Sequence, residues 1–220
     1  MALLSAKKLS VSYEHDSSTK NIFSSLDLSL QEGEIVDLQG PSGAGKSTLL
    51  KALALLHAID SGDICLESKS YKNFTPQTWR KHVSMSLQKA SLIEGTVEEN
   101  LRYPFSLAVR KCEDAPSQEE MRKLLDSLAL EDVELEREAS QLSGGQSSRV
   151  ALARNILTHP KVYLLDEVDA ALDSDSAHAL WNVIEQEVQK GSAVLRIRHH
   201  EDDGRASRKL MLQDKILKEV

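Results

Sequence analysis

The residues with the clearest chemical signal form a glycine-rich run at positions 40–48. The run fits the phosphate-loop pattern G-x-x-x-x-G-K-[ST] at every fixed position, and it lies between a strand-like and a helix-like segment. Glycines let the backbone curl so that N–H groups point at phosphate oxygens. Lys46 is expected to reach the β- and γ-phosphates of a nucleotide, and Ser47 to ligate Mg²⁺. The predicted nucleotide-binding residues of this run are Gly40, Pro41, Ser42, Gly43, Ala44, Gly45, Lys46, Ser47 and Thr48.

Two adjacent carboxylates, Asp166 and Glu167, end the apolar run 162–165. In an open α/β sheet, ligands bind at the carboxyl ends of the strands, beside a phosphate loop where one is present. Asp166 is therefore predicted to hold Mg²⁺, directly or through water. Glu167 is predicted to orient and deprotonate the water that attacks the terminal phosphate. Together with the phosphate loop, this pair predicts a hydrolase that acts on a nucleoside triphosphate.

A third segment, Leu-Ser-Gly-Gly-Gln at 142–146, lies between the phosphate loop and the carboxylates. The three segments, in this order and spacing, make the chain resemble the nucleotide-binding domain of ATP-binding cassette (ABC) proteins over essentially its whole length. The resemblance implies that the chain binds ATP with Mg²⁺ and hydrolyses the ATP. It also implies that Ser143, Gly144, Gly145 and Gln146 of one copy complete the ATP site of a second copy. We therefore expect a homodimer with two equivalent sites.

The resemblance assigns roles to four further positions. Gln88 matches the glutamine that contacts Mg²⁺ or the lytic water, and Asp173 matches the loop that follows the catalytic carboxylates. Tyr13 stands where the family has an aromatic ring stacked on adenine, although a strand tyrosine packed on its own sheet is the alternative. His199 matches the histidine that donates to the γ-phosphate. His200 is adjacent, and only register along the sequence separates the two.

The hydrophobic pattern predicts an α/β fold. Strand-like and helix-like segments alternate, which indicates a P-loop NTPase core with a mostly parallel sheet and flanking helices. The alternating residues of segments 9–13 and 23–30 predict an antiparallel β flap, and Gly62 with Asp63 predicts a turn. Helical spacing within 89–152 predicts an inserted α-helical subdomain. We thus expect one ABC ATPase domain over 1–220, with its core and flap in 1–88 and 153–220.

Composition limits the kind of partner and the location. Acidic residues outnumber basic ones by 34 to 27, so no nucleic-acid partner is expected. Cys65 and Cys112 have no metal-ligand spacing and are expected as reduced thiols, with a disulfide as the alternative. No apolar run could span a bilayer, and the N-terminus lacks a signal peptide. We expect a cytoplasmic chain, peripheral on the inner face of the membrane, where another chain supplies the membrane span.

The segment 91–105 carries the signal for a subfamily. Its Thr-Val, Asn-Leu and aromatic-Pro-aromatic pattern resembles the ATP-binding subunits of bacterial iron exporters, which pair with a separate permease. The resemblance implies an ATPase that powers a transmembrane permease subunit, with iron export as the function. The alternative is a soluble ABC ATPase of an assembly machine such as iron–sulfur cluster biogenesis.

Two predicted core strands contain charges, which is unusual because strands of a doubly wound sheet are apolar throughout. Asp37 lies three residues before Gly40, and Arg196 lies three residues before His199. These strands are neighbours in folds of this type, so we predict that Asp37 pairs with Arg196 or, second, with Arg198. The alternative is that each charge reaches solvent separately. Arg198 is itself a departure, because a threonine or similar small residue is usual before the histidine.

Overall fold

The chain alternates strands and helices along most of its length, and the computed structural model describes residues 2–15, 18–87, 91–198 and 202–220. The strands of these residues are β1 (Leu4–His15), β2 (Ser18–Leu30), β3 (Ile35–Gln39), β4 (Ser61–Leu66), β5 (Lys69–Ser70), β6 (Val83–Ser86), β7 (Val162–Asp166), β8 (Ala193–Ile197), β9 (Arg208–Gln213) and β10 (Ile216–Glu219). The α-helices are α1 (Lys46–Leu53), α2 (Pro76–His82), α3 (Val97–Arg102), α4 (Gln118–Ser127), α5 (Gly144–Ile156) and α6 (Ser174–Gln189). Within the described ranges, no helix is both long enough and apolar enough to cross a membrane.

The central sheet has the strand order β10-β9-β3-β8-β7-β6. Strand β3 pairs in parallel with β8 and β9, and β7 pairs in parallel with β6 and β8. Every residue of β7 and β8 is buried, as expected for strands covered on both faces. The predicted α/β class is confirmed. Because the parallel strands point the same way, the carboxyl ends of β3, β7 and β8 meet at one edge of the sheet.

A second, antiparallel sheet with the order β2-β1-β4-β5 forms the predicted flap. Strands β1 and β2 pair along their whole length, and their apolar residues join the core beneath. The turn predicted at Gly62 and Asp63 is wrong, because both residues lie within β4. The pairing of β1 with β4 shifts register between Lys7 and Ser10, and Gly62 passes close to the carbonyls of β1 there with a φ of 99°. A glycine in this strand therefore marks an irregularity in pairing.

Helices α3, α4 and α5 lie in the segment between β6 and β7. Each helix begins at a hydroxyl residue that accepts a backbone hydrogen bond, and a Glu or Gln three residues later bonds back to the cap. The pairs are Thr96 with Glu99, Ser117 with Glu120, and Ser143 with Gln146. Apolar residues of the three helices share one buried cluster. The division of the chain at residues 89 and 152 stays a prediction.

Two oppositely charged residues lie inside the sheet, side by side on β3 and β8. Asp37 is the register partner of Arg196, and the guanidinium Nε donates to the carboxylate Oδ1 at 2.6 Å. Arg196 is 0% exposed and Asp37 is 6% exposed. The predicted pairing of Asp37 with Arg196 is confirmed. The alternative, that each charged side chain reaches solvent separately, is wrong for Arg196, which is fully buried.

Arg196 also has partners that the sequence did not reveal. Asp203 accepts hydrogen bonds from both terminal nitrogens of Arg196, at 2.6 and 3.1 Å. The ring of Trp181 covers the guanidinium, with the central carbon 4.3 Å from the ring centre. Burial acts to lower the pKa of Arg196, but its hydrogen bonds to Asp203 and Asp37 prevail and raise that pKa above the ordinary value. The arginine is therefore held by two carboxylates at once.

Replacing Asp37 with Ala should lower the free energy of unfolding by about 1.5–3 kcal/mol, the cost of losing a hydrogen bond to a charged group. A buried arginine left with no carboxylate would cost more, about 3–5 kcal/mol. The smaller figure applies because Asp203 keeps its bonds to Arg196. Urea denaturation measures the change, and the double variant Asp37→Val with Arg196→Val should recover part of the loss. A loss under about 0.5 kcal/mol, typical of surface positions, would contradict this role for Asp37.

Candidate active site

The phosphate loop connects β3 to α1 and is shaped by glycines at positive φ. Gly40 has a φ of 147°, and a Cβ there would overlap the carbonyl of Leu212 on β9. Gly45, the residue before α1, has a φ of 101°. Lys46 closes the loop, because its Nζ donates to the carbonyls of Gly40 at 2.8 Å and Pro41 at 3.1 Å. The ammonium charge thus adds to the positive end of α1, which favours an anion at this edge of the sheet.

Asp166 ends β7 beside the phosphate loop. Burial raises the pKa of Asp166 above its ordinary value, and the negative charge of Glu167 acts in the same direction. A hydrogen bond with Ser47 and the positive charges of Lys51 and Lys46 act the other way. Ser47 and Asp166 thus present oxygen atoms in mutual contact, and hard oxygen donors are what Mg²⁺ prefers. These two residues fit the ion, which when bound would neutralise negative charge on the phosphate oxygens.

Glu167 lies in a backbone conformation that is unusual for a glutamate. Its φ is 52°, which costs about 1–3 kcal/mol and needs support from the surroundings. The N–H of Glu167 donates to the carbonyl of Ile197 at 3.1 Å, which ties the turn after β7 to the end of β8. This hydrogen bond therefore ties the backbone of Glu167 to the sheet.

A cavity of about 240 Å³ joins Glu167 to the phosphate loop. Its walls are Ile22, Ser42, Gly43, Gly45, Lys46, Ser47, Thr48 and Glu167. A carboxylate on the wall of a phosphate-binding cavity can take a proton from an attacking water. The residues 143–146 are all described, and none of them lines this cavity.

The signature residues 143–146 form the start of α5, where Ser143 and Gly144 are exposed. The Ser143 hydroxyl accepts from the N–H of Gln146 at 3.2 Å, and the Gln146 side chain accepts from the N–H of Ser143 at 3.0 Å. Gln146 also donates to Asp132 at 3.0 Å. A Cβ on Gly144 would meet no atom within 4 Å, so the backbone here is open to an approaching group. The positive end of α5 can therefore meet a phosphate brought by another molecule.

Asp173 and Tyr13 lie on the surface. The carboxylate of Asp173 caps α6, accepting from both the N–H and the hydroxyl of Ser176 at 2.9 Å, and these bonds lower the pKa of Asp173. Tyr13 lies on β1 and is 54% exposed, which disfavours the alternative that its ring packs within the flap. The stacking role of Tyr13 stays a prediction, as do the roles assigned to the other site residues.

Three predicted residues lie outside the described ranges. They are Gln88, His199 and His200. The assignment of Gln88 to Mg²⁺ or the lytic water, and of His199 to the γ-phosphate, stays a prediction from the sequence.

Comparison with known families identifies the type of protein. The family model described as ABC transporter matches residues 23–170, which is more than half of the chain. The chain belongs to the ABC transporter family. An ABC cassette binds ATP and hydrolyses it, so the phosphate loop and the carboxylates of this chain belong to an ATPase.

Relatives of this ABC cassette differ in what their names say they transport. The "Probable iron export ATP-binding protein FetA" of Escherichia coli (strain K12) is 36% identical over 183 residues, which are 83% of this chain and 80% of FetA. The "Spermidine/putrescine import ATP-binding protein PotA" of Thermotoga maritima is 36% identical over 154 residues, 70% of this chain but only 40% of PotA. Some relatives are much longer, and the chain spans 14% of the ABC-type transporter kk1G of Curvularia clavata.

A solved structure has the same fold over nearly the whole cassette. It is described as the dimeric structure of a post-hydrolysis state of the ATP-binding cassette MJ0796 bound to ADP and Pi. The two chains align with a TM-score of 0.83 and 27% identity, over 99% of this chain and 97% of that one.

Sequence reasoning missed a group of charged residues next to the site. Arg198 follows β8, and its Nε donates to Asp169 Oδ2 at 2.9 Å, just beyond Glu167 along the chain. Arg198 also pairs with Asp203 at 2.6 Å. One signal in the sequence indicated this charged group: Arg198 stands where a small residue is usual in the family. Asp169, two residues after the predicted general base Glu167, was the second signal.

Replacing Glu167 with Gln should lower ATP turnover by about 10²- to 10⁴-fold, the usual loss when a general base is removed. The amide keeps the shape of the side chain, so ATP should still bind and an ATP-bound dimer should accumulate. Turnover assays and sedimentation with ATP measure both effects. Glu32→Gln, in the exposed turn before β3, is the matched control and should behave as the parent. Normal turnover in the Glu167 variant would contradict the assignment.

Proposed function

We propose that this cassette is the ATP-hydrolysing subunit of an ABC transporter. Two copies bind ATP between them, and the dimer powers a separate permease from the cytoplasmic face of the membrane. One observation carries the proposal. The cavity of a single copy is lined by the phosphate loop and Glu167, whereas Ser143 and the glycines after it begin a helix that does not line the cavity. A second copy would supply that helix start, with its backbone N–H groups directed at the γ-phosphate.

In this proposal each group of the site has one task. The phosphate loop and Lys46 bind and orient the phosphates, and Glu167 accepts the proton from water as its oxygen attacks the γ-phosphorus. Ser47 and Asp166 hold Mg²⁺. The helix start of the second copy stabilises charge on the γ-phosphate and makes ATP bridge the two copies. Hydrolysis removes that bridge, so the two copies separate after each turnover.

A groove beside the end of β6 suits a permease partner. The groove has a volume of about 290 Å³ and lies between the end of β6 and the segments that follow α3. In the predicted division of the chain at residues 89 and 152, the core and the helical subdomain meet there. Leu87 and Leu107 line it and are 48% and 42% exposed. Large apolar side chains that are this exposed and close together indicate a protein contact. We assign the groove to a cytoplasmic loop of the permease.

One relative, FetA, is named for iron export and matches most of both chains. FetA and PotA are equally identical to this chain over the aligned residues, but the alignment covers 80% of FetA and only 40% of PotA. A match over most of both chains supports a shared role better than a match to part of a longer protein. We therefore propose iron export through the permease.

Co-purification tests the transporter role. A tagged chain expressed in its own host should be extracted from membranes together with a polytopic membrane protein, and Leu107→Asp should remove that partner because it places a charge in an apolar contact. Membrane vesicles with this pair should move iron in an ATP-dependent way, and the Glu167→Gln vesicles should not. Recovery of the chain only with soluble partners, iron–sulfur scaffold proteins among them, would contradict the transporter role and favour an assembly ATPase.

A further inference from the structure

We propose that Arg198 is a positioning residue for ATP hydrolysis, which holds the turn after Glu167 in its active geometry through Asp169. The inference rests on the proposed function, in which Glu167 is the general base. Arg198 does not itself reach the phosphate-loop cavity, whose walls among the described residues include no arginine. It acts on the backbone that carries the base.

Two links side by side hold this turn against the end of β8. The first is the hydrogen bond from the N–H of Glu167 to the carbonyl of Ile197, at 3.1 Å. The second is the ion pair of Asp169 with Arg198, at 2.9 Å. Asp169 lies two residues after Glu167, and Arg198 lies one residue after Ile197. The side chains of Asp169 and Arg198 are only 2% and 11% exposed, so the pair is little screened by water. Two neighbouring links restrain both the position of the turn and its rotation.

The carboxylate of Asp169 is fixed from a second direction. Trp181 of α6 donates its indole N–H to the same oxygen, Oδ2, at 2.9 Å. The ring of Trp181 also lies under two arginines, 4.3 Å from the guanidinium of Arg196 and 5.5 Å from that of Arg198. Helix α6, strand β8 and the turn after Glu167 therefore meet at one carboxylate.

Asp203 joins the two arginines on their other side. It accepts from Arg196 at 2.6 and 3.1 Å and pairs with Arg198 at 2.6 Å. Burial acts against ionisation of Asp203, but the hydrogen bonds from Arg196 prevail and lower its pKa, so the carboxylate stays charged. Asp203 thus ties the chain that leads into β9 to the end of β8. Arg198 cannot turn away from Asp169 without also breaking the bond to Asp203.

A role in positioning Glu167 explains this cluster better than a role in stabilising the fold. Replacing a buried ion pair by apolar residues of similar size is often neutral or even stabilising, so stability alone explains such a cluster poorly. Catalysis requires much more precise geometry than folding does, because a displacement of about 1 Å at the reacting groups can cost 10²-fold in rate. Glu167 has a strained backbone that relaxes unless neighbours hold it. Arg198, through Asp169, supplies that restraint.

The test separates turnover from binding and from folding. Arg198→Gln should lower kcat for ATP by roughly ten- to a hundred-fold while the KM for ATP stays nearly constant, because the groups that bind ATP are untouched. Asp169→Asn should have a similar effect, and the double variant should lose no more than the worse single variant, since both changes break the same link. Arg198→Lys keeps the charge and should recover part of the lost kcat.

A matched control comes from α4. Arg122 also pairs with a carboxylate, Asp126 at 2.8 Å, and donates to two backbone carbonyls, but it lies in the helical part and belongs to no proposed site. Arg122→Gln should lower the melting temperature and leave kcat unchanged. Melting temperatures of all variants, measured beside the kinetics, show whether a loss of kcat is only a loss of fold.

The Glu167→Gln background decides between this inference and the proposed function. Single-turnover rates should change little when Arg198→Gln is added to Glu167→Gln, because the base through which Arg198 acts is already gone. An undiminished kcat in Arg198→Gln, or an equal loss in both backgrounds, would overturn the positioning role. Normal turnover in Glu167→Gln alone would instead overturn the assignment of the base. If Arg198→Gln does not fold, Asp169→Asn decides, and parental kcat in that variant would overturn the inference.

Discussion

The parallel alignment of β3, β7 and β8 is the constraint on which the rest of the structure depends. Asp37, Arg196 and Leu165 are register partners in one row across the three strands, and Asp166 is the partner of Ile197 one step further. The segments that follow the strands therefore begin at nearly the same level. The phosphate loop and the carboxylate turn lie at one edge of the sheet for this reason, although more than a hundred residues separate them in the chain. Arg198 follows β8 at the same edge.

That alignment also explains how the sheet tolerates charge in its interior. A buried guanidinium is costly unless its N–H groups all find acceptors. Register places Asp37 directly beside Arg196, and the chain returning toward β9 places Asp203 on the other side of it. Trp181 covers the face that remains. The charges that look out of place in two core strands thus become a cluster that reaches Arg198 and, through it, the turn after Glu167.

Sequence reasoning predicted those parts of the molecule that follow from local patterns or from strand depth. The phosphate loop is a local pattern, and the pairing of Asp37 with Arg196 follows from equal distance to the strand ends. Asp203 was missed because it lies in a loop, where no periodicity relates sequence position to depth. Gly62 was misinterpreted as a turn residue because glycine is common both in turns and at irregular strand pairing. Helix α2 was missed although Thr75 and Pro76 are a recognisable helix start.

The central claim is that one chain contains two halves of different ATP sites, and mixing two inactive variants tests it most directly. Lys46→Ala removes the phosphate-loop half, and Ser143→Arg blocks the signature half. In a mixed dimer, one site combines both defects and the other has neither. Equal mixing with random pairing should therefore restore about a quarter of parental ATPase activity from two preparations that are each inactive. A mixture that stays inactive, or a Ser143→Arg preparation with parental activity by itself, would contradict the shared site.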